Sequence, residues 1–179
     1  MDNLSSSRVW VMRAAYLGLA LLIIFFQLLP LSTLPPFWAW PDLLLAITFA
    51  WAMRRPDYVP ALSIAGVMLL SDLILMRPPG LMAALVVFGA AQLKNRTGGL
   101  RDASFVGEWV AAGMMMVLVV ILNRVILATL IVDQAPLGLT LIQLIMTIAA
   151  YPAVVLLSHV LLGVRKLSPN SEDALGARA

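Results

Sequence analysis

The sequence contains no cysteine and a single histidine. The first absence rules out a disulfide framework, a thiolate nucleophile and lipid attachment at cysteine. The second argues against a dedicated zinc or haem site, so no cofactor is expected. Charge is also scarce: 12% of residues are Asp, Glu, Lys or Arg, against about 25% in soluble domains. No glycine-rich phosphate loop, HExxH or GxSxG motif occurs. Ser158 adjoins His159, but adjacent helical residues point to different faces, so the two form no catalytic dyad. An enzyme is not expected. Nor is a nucleic-acid partner, because the net charge of +3 arises in short loops between apolar blocks. Basic residues placed there orient a protein in a membrane.

What the chain does have is hydrophobicity. Apolar residues make up 62% of it and come in long blocks, which predicts an all-α integral membrane protein. Six segments can be drawn, at 9–29, 41–53, 60–76, 80–93, 104–132 and 136–163. The first is preceded by Arg8 and lacks a small-residue cleavage site at its end, so it reads as a retained span and not a signal peptide. Pro30, Pro35 and Pro36 end it, and Trp38 and Trp40 form an aromatic belt at the outer interface. Pro41 suits the first turn of the second helix, having no N–H to leave unpaired. Residues 94–102 form the longest hydrophilic loop. The expected organisation is a transmembrane domain over 1–166 and a disordered cytoplasmic tail over 167–179.

Orientation follows from the basic residues. With six spans and both termini cytoplasmic, one side holds Arg54, Arg55, Lys94, Arg96 and Arg101, together with the arginines and lysine near the two ends. The other side holds only Arg77, and Arg124 lies within a span. That asymmetry follows the positive-inside rule and predicts a multi-pass protein with both termini cytoplasmic. About 20 helical residues cross the hydrocarbon, and the second and fourth segments fall short of that. Segments two to four therefore read as a compact core clasped by the longer first, fifth and sixth. The stretch 62–81, which carries one acid, reads as the element around which the rest is organised.

That acid is Asp72, in an otherwise lipid-soluble run that Arg77, Pro78, Pro79 and Gly80 turn back. An ionisable side chain at membrane depth is costly and faces protein or water. Asp72 reads either as part of a packed polar site or as an interfacial acid snorkelling outward. Asp42, after Pro41, complements the positive end of a helix dipole or meets a partner. Arg124, two turns before the outer end of the fifth segment, either pairs with Asp72 or Asp42 or snorkels alone. Glu108 suits the first turn of its helix by the dipole argument alone.

Pro41-Asp42-Leu43 opening a short second helix, two basic residues in the next turn, and Asp72-Leu73 followed by a turn and Gly80-Leu81 are similar to the rod shape-determining protein MreD family. Length, six spans and a basic fourth-to-fifth loop agree, so the resemblance covers nearly the whole chain. Arg77-Pro78-Pro79 is more proline-rich than the family's turn. The resemblance implies a non-enzymatic subunit of the bacterial elongation machinery, which builds lateral peptidoglycan. Its partners would be the bitopic coiled-coil protein MreC, with MreB, RodA and a class B penicillin-binding protein, all at a lipid membrane. The family also resembles the substrate-binding subunits of energy-coupling vitamin transporters in its six-helix fold. The competing reading is a small-solute binding or transport subunit whose polar pocket includes Asp42 and Asp72.

Overall fold

The structure is a computed structural model that describes residues 2–29, 39–100 and 104–164. The expectations for Pro30, the Pro35-Pro36 pair, Trp38, Arg101 and the tail from 165 lie outside the described residues. Among those described, the chain is all-helical. Its order is α1 (Asp2–Leu28), α2 (Leu43–Arg54), a single 3-10 turn (Pro56–Tyr58), α3 (Ala61–Ile74), α4 (Leu81–Leu100), α5 (Phe105–Thr129) and α6 (Leu137–Leu162). Among the described residues, three stretches are long and apolar enough to cross a membrane: Ser7–Leu28, Phe105–Thr129 and Leu137–Leu162. Helices α2 and α3 are apolar but shorter.

The central element is α2, not the stretch 62–81. Every residue from Leu44 to Met53 is buried, and α2 packs against α1, α4, α5, α6 and the 3-10 turn. A helix that is apolar on all sides belongs inside other protein, and before Arg54 the only side-chain polar groups of α2 are the Thr48 hydroxyl and the Trp51 indole N–H. Helix α3 buries only the face formed by Ile64, Val67, Met68, Ser71 and Asp72, leaving Leu62, Leu69 and Leu73 exposed. The expected short core is therefore one enclosed helix with α3 and α4 paired beside it.

Two contacts explain how α2 is held so closely. Helix α1 buries Met12, Tyr16, Ala20 and Ile24, spaced four apart and hence on one face. Tyr16 shares a hydrogen bond of 3.0 Å with Thr48 Oγ1 and packs its ring 5.8 Å from that of Trp51. On the other side, a Cβ at Gly89 of α4 would lie 2.9 Å from Phe49 Cζ and 3.1 Å from Met115 Cγ. Only glycine lets α4 fit between α2 and α5 there. The faces left outside are apolar, including Phe25 and Phe26 of α1, Ile121 and Val125 of α5, and Val160 and Leu161 of α6. Contiguous apolar surface of this kind suits lipid.

Several boundaries differ from those expected: α1 starts at Asp2, ahead of the apolar block at 9, and α3 and α5 end at Ile74 and Thr129, short of 76 and 132. The hydrophilic stretch from 94 is not a loop at its start, since α4 continues through Lys94 to Leu100. Lys94 and Arg96 are good helix formers, and Lys94 Nζ donates to the Val59 carbonyl. Standing beyond the apolar part of α4, Lys94 has its ammonium pKa lowered by burial, with the Asp57 carboxylate pulling the opposite way. Helix α2 starts at Leu43, so Pro41 precedes the cap and is not in the first turn. The reason is Asp42, whose side chain takes the capping position.

Candidate functional site

The sequence singled out the end of the bundle that holds the start of α2, the α3–α4 turn and the α5–α6 connection. Asp42 is the N-cap of α2: its Oδ1 accepts the Leu45 N–H at 3.0 Å. Its own N–H donates to Thr147 Oγ1 at 2.8 Å, and Thr147 donates in turn to the Gln143 carbonyl at 2.6 Å. One residue thus closes a helix end through its carboxylate and anchors it to α6 through its backbone N–H.

Asp72 does the same for a different helix. It is 1% exposed, and its Oδ2 accepts the N–H groups of Gly80 at 3.1 Å and Ala83 at 3.3 Å. Those amides belong to the opening of α4, which has no capping side chain of its own because Gly80 precedes its first residue. A carboxylate at this position also opposes the positive end of the α4 dipole. The turn between them is built to allow this. Arg77 N–H donates to the Asp72 carbonyl at 2.9 Å, with Met76 at φ 54°, the pattern of a Schellman C-cap. Gly80, at φ 89°, then admits a backbone conformation that other residues resist. Helix α5 ends the same way, with Val132 N–H on the Leu127 carbonyl at 3.1 Å and Ile131 at φ 55°.

Arg124 pairs with neither acid. Its Nη1 donates to the Ala135 carbonyl at 3.0 Å and to Thr140 Oγ1 at 2.6 Å, while Gln134 Nε2 donates to the Arg124 carbonyl at 3.1 Å. In place of the expected ion pair, Asp72 and Asp42 accept backbone amides, and Arg124 turns Nη1 toward the connection that follows its own helix. Arg124 and Asp42 nevertheless line one cavity of about 300 Å³, with Arg77 and Pro78 of the turn and Thr140 and Thr147 of α6. Asp72 does not line that cavity.

The opposite end carries an ion pair that sequence reasoning missed. Arg54, read as a residue of a basic loop, lies in the last turn of α2 and grips Glu108 of α5 with both ends of its fork. Nε meets Oε1 at 2.7 Å and Nη2 meets Oε2 at 3.3 Å. Glu108 is 1% exposed, and Tyr151 of α6 donates its hydroxyl to Oε1 at 3.1 Å. One turn back on α2, Trp51 Nε1 donates to Ser158 Oγ at 3.0 Å. Arg55 stacks over Tyr58, 5.7 Å from the ring centre, and Arg13 Nε donates to the Asp57 carbonyl at 3.0 Å. The available signal was that Glu108 is an acid among basic residues, in a first turn whose neighbours end at the same side.

Among the described residues, no group of three histidine or acidic side chains is placed to hold a metal. What the arrangement can do chemically is lock helices at one end by carboxylate caps and at the other by a hydrogen-bonded ion pair. Comparison with family models, curated proteins and solved structures finds no match to this chain.

Proposed function

We propose that the chain is a six-span scaffold subunit of the bacterial elongation machinery, in the inner membrane with both termini cytoplasmic. In this reading it holds MreC against its helices and positions the peptidoglycan synthases, RodA and a class B penicillin-binding protein, near MreB. The observation that carries the proposal concerns the residues of the MreD-like motifs. Asp42 caps α2, and Asp72 reaches across the turn to cap α4. Both acids are thus used to hold the bundle rigid, which suits a body that partners dock on. The resemblance to energy-coupling transporter subunits belongs to the same proposal.

Six spans are supported by the clustering of Arg54, Lys94 and the Arg13–Asp57 contact at one end, with Arg77 and Arg124 at the other. The absence of native cysteine makes this simple to test with single substitutions. Asn95→Cys is expected to react only after the inner membrane is permeabilised, and Trp40→Cys in intact cells. The reverse labelling would sink the topology.

The functional test is depletion, which is expected to round the cells and disperse the single-span coiled-coil partner from its sites along the cell wall. A second reading, solute binding, is favoured by the cavity that Asp42 and Arg124 share. Depleted cells that keep their shape and lose uptake of one nutrient would decide for that reading against the scaffold.

A further inference from the structure

We infer that the cavity between the α3–α4 turn and the α5–α6 connection binds the phosphate head of a membrane lipid, gripped by Arg77 and Arg124. The inference needs the helices to lie in a membrane but does not depend on the scaffold role. The cavity is about 300 Å³, the lower end of small-molecule sites; it has room for a head group, not for acyl chains. Its walls include Leu45, Met82, Leu127 and Leu144 beside Arg77 and Arg124, with Asp42 and Asp133 also on the lining, so apolar surface meets two guanidinium groups.

The hydrogen-bond inventory favours an anion. A guanidinium carries five N–H donors in a planar fork that matches phosphate oxygens. Among the described residues only Nη1 of Arg124 is engaged, by Ala135 and Thr140. Nε and Nη2 make no such bond. The Arg77 side chain makes no hydrogen bond to the described residues, and the carboxylate it interacts with, Asp72, is already held by Gly80 and Ala83. Asp42 and Asp133 line the same cavity and balance the two arginines in formal charge, so the grip on phosphate rests on the directed N–H donors that Arg77 and Arg124 have left over and not on net charge.

Two turn residues favour a lipid over a soluble anion. Met76 and Ile131 each close a helix in the left-handed region, at φ 54° and 55°, a strained choice for a side-chain-bearing residue and above all for a β-branched one. Each is 93% exposed. Two large apolar side chains held outward at the helix ends that frame the cavity suit acyl chains running past it. They offer nothing to free phosphate.

The test uses the full chain purified in detergent and titrated by native mass spectrometry. The probes are dioleoyl phosphatidylglycerol, dioleoylglycerol (the same chains without phosphate) and inorganic phosphate. The phospholipid is expected to bind at least tenfold more tightly than dioleoylglycerol. Arg77→Gln is expected to weaken it on the order of tenfold, as for loss of a charge-assisted bond. Arg124→Gln should act similarly, and Arg124→Lys should restore part of the binding, since it returns charge without the fork. Because the Arg77 side chain makes no hydrogen bond within the described fold, that variant decides the matter even if Arg124→Gln fails to fold. Equal binding of the two lipids, or unchanged phospholipid binding by Arg77→Gln, would overturn the site. Inorganic phosphate displacing the phospholipid at equal concentration would overturn its assignment to a lipid.

Discussion

Glu108→Gln is expected to be the most destabilising conservative change in the chain, by about 3 kcal/mol or more. Removing one partner of a buried ion pair leaves the other uncompensated and costs roughly 3–5 kcal/mol. The lower end applies because the Arg54 side chain retains 13% exposure, against 2% for Glu108. Three helices converge on this carboxylate: α2 through Arg54, α5 through Glu108 itself, and α6 through Tyr151. The variant should lose resistance to denaturing detergent and melt early by tryptophan fluorescence, to which Trp51 and Trp109 contribute from α2 and α5. Replacing both partners by apolar residues, Arg54→Met with Glu108→Leu, is expected to recover much of the loss, since a well-packed apolar pair can match a buried ion pair. A single variant as stable as the parent would show that solvent already screens the pair.

Asp72→Ala is the second large effect, at about 2–4 kcal/mol. The substitution leaves the N–H groups of Gly80 and Ala83 unpaired beside a site that is 1% exposed, and each buried unpaired group costs about 1–3 kcal/mol. Asp72→Asn should lose less, because an amide oxygen still accepts. Combined with Arg124→Gln, the losses are expected to add within about 0.5 kcal/mol, as for residues that share no partner. Thermal melts of the two single variants and the double variant measure this directly. A double variant markedly more stable than that sum would restore the ion pair between Asp72 and Arg124 that the geometry denies.

The helices could be read from the sequence because each is an apolar block ended by proline, glycine or a charged turn. The Asp42 cap was visible for the same local reason, since the acid stands one residue before its helix. Asp72 was conspicuous but its partners were not. They lie 8 and 11 residues on, and the clue was that α4 opens after Gly80 with no side chain to cap it. Arg54 and Glu108 were hidden because each had a sufficient local explanation, a basic turn and a dipole. Their pairing across 54 residues exists only once α2 and α5 are packed. The centrality of α2 was passed over because an unbroken apolar run signals burial without saying against what, whereas Asp72 drew attention to a helix that buries one face.

The enclosure of α2 bears on the order in which the protein is made. Helix α2 leaves the ribosome early, yet the side chains that close around it come much later, Ser158 on Trp51 being 107 residues away. Until α4, α5 and α6 have been made, the wall around Leu44 to Met53 is incomplete, and its packing partners are α1 and the Pro56–Tyr58 turn. At 12 residues, it is too short to dwell comfortably alone in a bilayer, which takes about 20. The bundle is therefore assembled around a helix that waits, and the wall on its α6 side closes only after α5 has been made.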